Sequence, residues 1–169
     1  GSAEVSDVQE SSGCVITSFD GLGAPRGLAW DGSHLWVSDE DKRGGKSYGD
    51  YIVYKLSPNT GSIVFSFSPY TGYGGLAWDG TYLWGMVEGY VHKLDPSSGE
   101  MISYLDESSL VFPEGLCWDG EYLWTSTYIG DDMIYKISPV SGEVLLSYSF
   151  PGEVVHDLAY DGSFLWAVD

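Results

Sequence analysis

Positive charge is what this sequence has least of: 7 Lys and Arg stand against 25 Asp and Glu, for a formal charge of −18. A surface of that sign repels phosphate backbones and anionic headgroups, so nucleic acid and acidic membranes are poor partners, while cations and basic proteins are attracted. Cysteine is nearly missing. Cys14 and Cys117 alone are too few for a disulfide framework or a thiolate zinc site. No apolar run reaches the roughly 18 to 20 residues that span a bilayer, so no membrane insertion is expected. Gly1-Ser2 reads as a cloning remnant, which makes the start uninformative about any leader. Catalytic signatures are lacking as well: there is no Walker loop, HExxH, GxSxG or CxxC, and GLGAPR at 21–26 lacks the third glycine of a dinucleotide fingerprint.

What the chain does contain is a repeat. GLAWDGSHLW at 27–36 returns as GLAWDGTYLW at 75–84, GLCWDGEYLW at 115–124 and DLAYDGSFLW at 157–166. Measured from Asp31, Asp79, Asp119 and Asp161 the spacings are 48, 40 and 42 residues, the length of a four-stranded propeller blade. A second motif follows the first three: YKLSPNTGSIVFSF at 54–67, HKLDPSSGEMISYL at 92–105 and YKISPVSGEVLLSY at 135–148. Its fourth copy lies at the other end, where EVSDVQESSGCVITSF at 4–19 aligns with 90–105.

Runs rich in Val, Ile, Tyr, Trp and Phe alternate with turn signals and never hold a helical period, so each unit reads as four short strands. The first is Gly-Leu-Ala-Trp, an Asp-Gly hairpin leads to Leu-Trp-x-x, and a Pro-x-Ser/Thr-Gly turn joins the third strand to the fourth. One such sheet cannot bury both faces. Stacking sheets around an axis does so, which assigns the seven Trp to blade-to-blade packing rather than to ligand stacking. The expectation is an all-β, four-bladed propeller filling 1–169, with blades at about 20–67, 68–105 and 106–150 and a last one shared between 151–169 and 3–19. Two strands from each terminus then close the ring into a monomer. The competing expectation is a fragment of a larger propeller, or a chain that self-associates to complete one.

At GLAWDGxYLW followed by YKLxPxTGE the sequence resembles the broad class of propeller repeats that includes the glutaminyl cyclotransferase-like, YVTN, NHL and quinoprotein-like groups. The resemblance covers nearly the whole chain. It implies a fold and leaves the activity open, because enzymes, lectins, scaffolds and surface proteins all share it. Haemopexin-type propellers share only the blade number, and they imply that a narrow central channel can hold a cation.

Comparison among the copies locates a site. The Asp-Gly and Pro-x-Ser/Thr-Gly turns are nearly uniform, whereas the loops at the opposite rim differ in every blade: 38–51, 87–89 and 126–132. Variable loops on a rigid frame are where binding function sits. Just before the innermost strands the copies read Arg26, Gly74, Glu114 and His156, with Asp157 in place of a glycine. In a closed ring these converge on the channel mouth, able to take a polar ligand or a cation, or to form a salt-bridged plug. Arg26, Tyr48, Glu114, Tyr128, His156 and Asp157 are therefore the candidate ligand-binding residues. Asp39, Asp41, Asp131 and Asp132 have the oxygen chemistry calcium prefers but match no calcium loop, and read chiefly as solvated charge. His34 and His92 stand where other copies carry Tyr or Phe, and read as structural. The functional expectation is a non-enzymatic module for a protein or small polar ligand, in a secreted or surface protein of a prokaryote. The alternatives are an acid/base hydrolase, lyase or cyclotransferase at the mouth and a structural segment of a longer propeller.

Overall fold

Among the described residues the stretches expected to be extended form strands, and all the sheets are antiparallel. The computed structural model describes residue 18 and residues 21–168, apart from 42–49, 109, 111–112, 128–132 and 151–153; side-chain description also omits residue 41. Strands β1 (Pro25–Trp30), β2 (Leu35–Asp41), β3 (Asp50–Leu56) and β4 (Ile63–Phe67) form the first sheet in chain order. The second holds β5 (Leu76–Trp78), β6 (Leu83–Val87), β7 (Tyr90–Leu94) and β8 (Met101–Asp106). The third holds β9 (Pro113–Trp118), β10 (Leu123–Thr127), β11 (Met133–Ile137) and β12 (Val144–Ser149). The fourth is the pair β13 (Asp157–Tyr160) and β14 (Leu165–Val168). Among the described residues no helix is long and apolar enough to cross a membrane.

The hairpin joining the first two strands of each blade is built the same way four times. Gly32, Gly80, Gly120 and Gly162 all take φ between 93° and 100°, the left-handed region that only glycine enters without strain. The preceding Asp does more than turn the chain. One oxygen of Asp79 accepts the N–H groups of Thr81 and Tyr82, and the other accepts the indole N–H of Trp84 at 2.8 Å. Asp31, Asp119 and Asp161 hold Trp36, Trp124 and Trp166 likewise.

Three seams bury the aromatic faces. Between the first two blades, Ala29, Trp36 and Val53 meet Leu76, Leu83 and Leu94. Ala77, Trp84 and Val91 meet Leu116, Leu123 and Ile137 at the next, and Cys117 and Ile134 meet Leu158 at the third. Burial in that third seam raises the Cys117 thiol to about 12, so it is an inert packing group in the place of Ala29 and Ala77. Innermost strands pack in series, β1 on β5, β5 on β9 and β9 on β13; no comparable packing joins β13 to β1 among the described residues. The propeller architecture is thus present as three complete blades and the inner pair of a fourth. The outer strands assigned to 3–19 lie outside the described residues.

Candidate functional site

Glycine lets the inner strands crowd the axis. A Cβ on Gly27 would sit 2.7 Å from the carbonyl oxygen of Gly74, and one on Gly75 would sit 2.6 Å from the carbonyl oxygen of Glu114 and the amide nitrogen of Leu116. The residues just before these contacts are thereby drawn to one end of the axis. Gly27 donates its N–H to Ser38 Oγ at 2.8 Å and Gly115 donates to Ser126 Oγ at 3.3 Å, which fixes the inner strands to their neighbours.

In the fourth blade Asp157 occupies the glycine position. Its carboxylate lies where a Cβ on Gly115 would come within 3.2 Å, accepts the N–H of Leu158 at 2.8 Å and also accepts the Leu116 N–H of the third blade. Burial raises its pKa and nearby Glu114 adds to the rise, against the lowering by the two N–H groups.

Four of the six candidate residues come to the mouth. Arg26 and Glu114 line one cleft of about 310 Å³ together with Gly74, Met86, Glu88 and Pro113. The His156 ring nitrogen Nδ1 stands 3.7 Å from Glu114 Oε2, and Asp157 adjoins both. Tyr48 and Tyr128 lie outside the described residues. A plug joining Arg26 to Glu114 is not what forms: the Arg26 guanidinium pairs at 3.1 Å with Glu40, across the β1–β2 ladder, because the two side chains leave adjacent strands on the same rim.

Glu114 Oε2 is buried and accepts no hydrogen bond among the described residues. A buried carboxylate oxygen in that state costs on the order of 1–3 kcal/mol, and the His156 ring nitrogen 3.7 Å away stands beyond hydrogen-bonding reach.

Two mouth residues escaped the sequence reading. Glu40 lies between Asp39 and Asp41 in sequence, and the β1–β2 pairing is what brings it to Arg26. Glu88 lines the cleft from the two-residue turn between β6 and β7, with φ at 41° and Gly89 at 86°. That turn prefers Asn, Asp or Gly in its first position, so a glutamate there was a readable departure. The mouth therefore carries Glu40, Glu88, Glu114 and Asp157 against Arg26 and His156.

Of the acidic candidates for calcium, Asp39 is committed to the backbone. Its two oxygens accept the Ala24 N–H at 2.6 Å and the Gly23 N–H at 2.9 Å, and the side chain is buried. Asp131, Asp132 and the Asp41 side chain lie outside the described residues. Among the described residues no three His, Cys, Asp or Glu side chains are grouped to hold a metal ion. His34 sits in the first hairpin, hydrogen-bonded to Ser33 Oγ at 2.8 Å.

No protein-family profile matches the chain, and no curated protein matches it by sequence. Solved structures do match. The chain superposes on a glutaminyl cyclase from Myxococcus xanthus with a TM-score of 0.67 at 19% identity, covering 86% of this chain and 61% of that one. It superposes on the hydrazine synthase of Kuenenia stuttgartiensis with a TM-score of 0.61 at 18% identity, covering 86% of this chain and 42% of that one. A computationally designed protein, Ika8, matches with a TM-score of 0.54 at 12% identity. The chain is thus similar in fold to propeller proteins and spans about three fifths or less of the length of these two natural ones. At such identities the likeness concerns the fold.

Proposed function

We propose that this chain is a non-enzymatic binding module whose axial mouth takes the cationic end of a small polar ligand or of a protein side chain. The observation that carries the reading is Glu114, which lines the cleft and whose buried Oε2 has no hydrogen-bond donor among the described residues. An ammonium or guanidinium group entering between Glu88 and Glu114 pairs with the two carboxylates that line the cleft. It also offsets an excess of carboxylates that Arg26, already paired to Glu40, does not neutralise. The formal charge of −18 steers cations toward the molecule from any side, and the cleft gives them one place to dock.

Calorimetric titration with arginine methyl ester tests this. Saturable binding that weakens with salt and is lost in Glu114→Gln supports the reading, since the substitution keeps shape and removes charge. Binding of equal strength in wild type and variant, or none in either, refutes it.

A second reading is favoured by one observation: Asp157 and Glu114 are neighbouring carboxyls, and Asp157 holds its proton more tightly than usual. Such a pair suits acid/base chemistry. One of the superposed structures is a glutaminyl cyclase, so an assay for that activity, with Asp157→Asn as control, separates enzyme from binder. Turnover abolished by the substitution favours the enzyme.

A further inference from the structure

The second blade departs from the repeat at three positions, and all three meet at one point away from the axis. Where the other copies carry Pro25, Pro113 and Val155 it has Tyr73; where they carry Val37, Thr125 and Ala167 it has Gly85; where two of them carry Tyr54 and Tyr135 it has His92. Gly85 and His92 face each other across the β6–β7 ladder. Tyr73 lies over them, its ring 2.6 Å from where a Cβ on Gly85 would be, and its hydroxyl bonds His92 Nδ1 at 3.1 Å. The two rings meet edge to face at 5.6 Å. A glycine inside a strand weakens it by roughly 0.5–1 kcal/mol, so this arrangement is kept at some cost to the sheet.

Above this trio lies a groove of about 690 Å³, bounded by the loop from Ser68 to Tyr73 and the turn from Ser98 to Met101. The corresponding loop at the next seam is longer. Eight positions separate Phe67 from Gly75, but ten separate Leu105 from Gly115. In the longer loop Leu110 packs into the seam and Glu107 reaches Gly142 in the turn of the third blade. The first seam leaves that space free. Phe67, Tyr73 and His92 line it, and Tyr70 stands over it fully exposed, at 107% of its reference area. Glu100 at the rim is the one charged side chain among the lining residues. Burial lowers the pKa of His92 and raises that of Tyr73 to about 12, so both are uncharged at neutral pH.

We propose that this groove is a second binding site, for a small uncharged aromatic ring that carries a hydrogen-bonding group. Phe67 and Tyr70 supply the apolar and stacking contacts. His92 orients the ligand through Nε2, which accepts the ligand's N–H in the tautomer whose Nδ1–H donates to the Tyr73 hydroxyl. The pattern is that of a ligand pocket, mostly apolar with a few convergent polar groups, and none of the charged residues of the axial mouth lines it.

Saturation-transfer NMR with indole and 1-methylindole tests the proposal. Indole binds saturably, and Tyr70→Ala weakens it by about tenfold, a loss in line with one aromatic contact. That side chain is fully exposed, so its removal leaves the fold intact. Indole also binds several-fold more tightly than 1-methylindole, and the difference vanishes in His92→Phe. Glu114→Gln leaves indole binding unchanged, which keeps this result separate from the axial one. No saturable binding, an unaltered affinity in Tyr70→Ala, or a preference for indole that survives His92→Phe overturns the proposal.

Discussion

The indole N–H of Trp84 donates to Asp79 Oδ2 at 2.8 Å, and the same bond recurs at 3.1 Å between Trp36 and Asp31. Each bond joins the hairpin at one end of a blade to an aromatic side chain at a seam. Trp36 and Trp84 are almost wholly buried there, whereas Trp166, with the same bond to Asp161, is 59% exposed. Asp79→Ala removes three acceptor contacts and orphans a buried indole N–H, with an expected loss of about 2–3 kcal/mol. Asp161→Ala costs under about 1 kcal/mol. Urea midpoints of the two variants check the ordering, and equal losses contradict it.

Close approach at the axis makes a second prediction. Gly75→Ala places a methyl against backbone atoms of Glu114 and Leu116 at 2.6 Å, where no flexible side chain can yield. A loss of about 3 kcal/mol or more follows, toward the upper end for overpacking. Gly27→Ala behaves likewise, and thermal unfolding of both against wild type is the check.

These two features differ in how legible they were. Strand positions, hairpins and seam residues could be read because sequence period and turn chemistry act locally and the repeat displays them several times over. The convergence of Arg26, Glu114, His156 and Asp157 was readable only by laying the copies over one another. Glu40 as the partner of Arg26 was not readable, since the choice between Glu40 and Glu114 depends on which carboxylate the neighbouring strand brings within 3.1 Å. The Tyr73, Gly85 and His92 trio was visible as three separate oddities, and only the cross-strand register shows them to be one feature.

Glu107 gives the fold a pH dependence. The residue is 1% exposed, its Oε1 has no hydrogen-bond partner among the described residues, and burial, with help from Asp106, raises its carboxyl to about 7. A value raised above that of the unfolded chain means the contribution to stability is complete below about 4.5 and is lost as pH rises through 7. Glu107→Gln is therefore more stable than wild type at pH 8 by about 1–3 kcal/mol and similar to it at pH 4. Denaturant midpoints at the two pH values check the sign.

The fourth blade is tested by truncation. Trp166, Val168, Leu28 and Trp30 are all at least half exposed, on the faces that would adjoin at the closing seam. If residues 3–19 complete that blade, the intact chain sediments as a monomer. Removal of residues 1–19 then lowers its unfolding temperature and promotes association. An unchanged unfolding temperature and monomeric state after truncation contradict closure by the N-terminal segment.

Amide chemical-shift mapping with arginine methyl ester bears most directly on the claim that the axial mouth is a cation-accepting site. The expected shifts cluster at Gly74, Gly75, Glu88, Glu114, Gly115 and Asp157, saturate together, and disappear in Glu114→Gln. Shifts scattered over the acidic surface, growing linearly with ligand and unaffected by that substitution, would mean that the mouth has no special affinity.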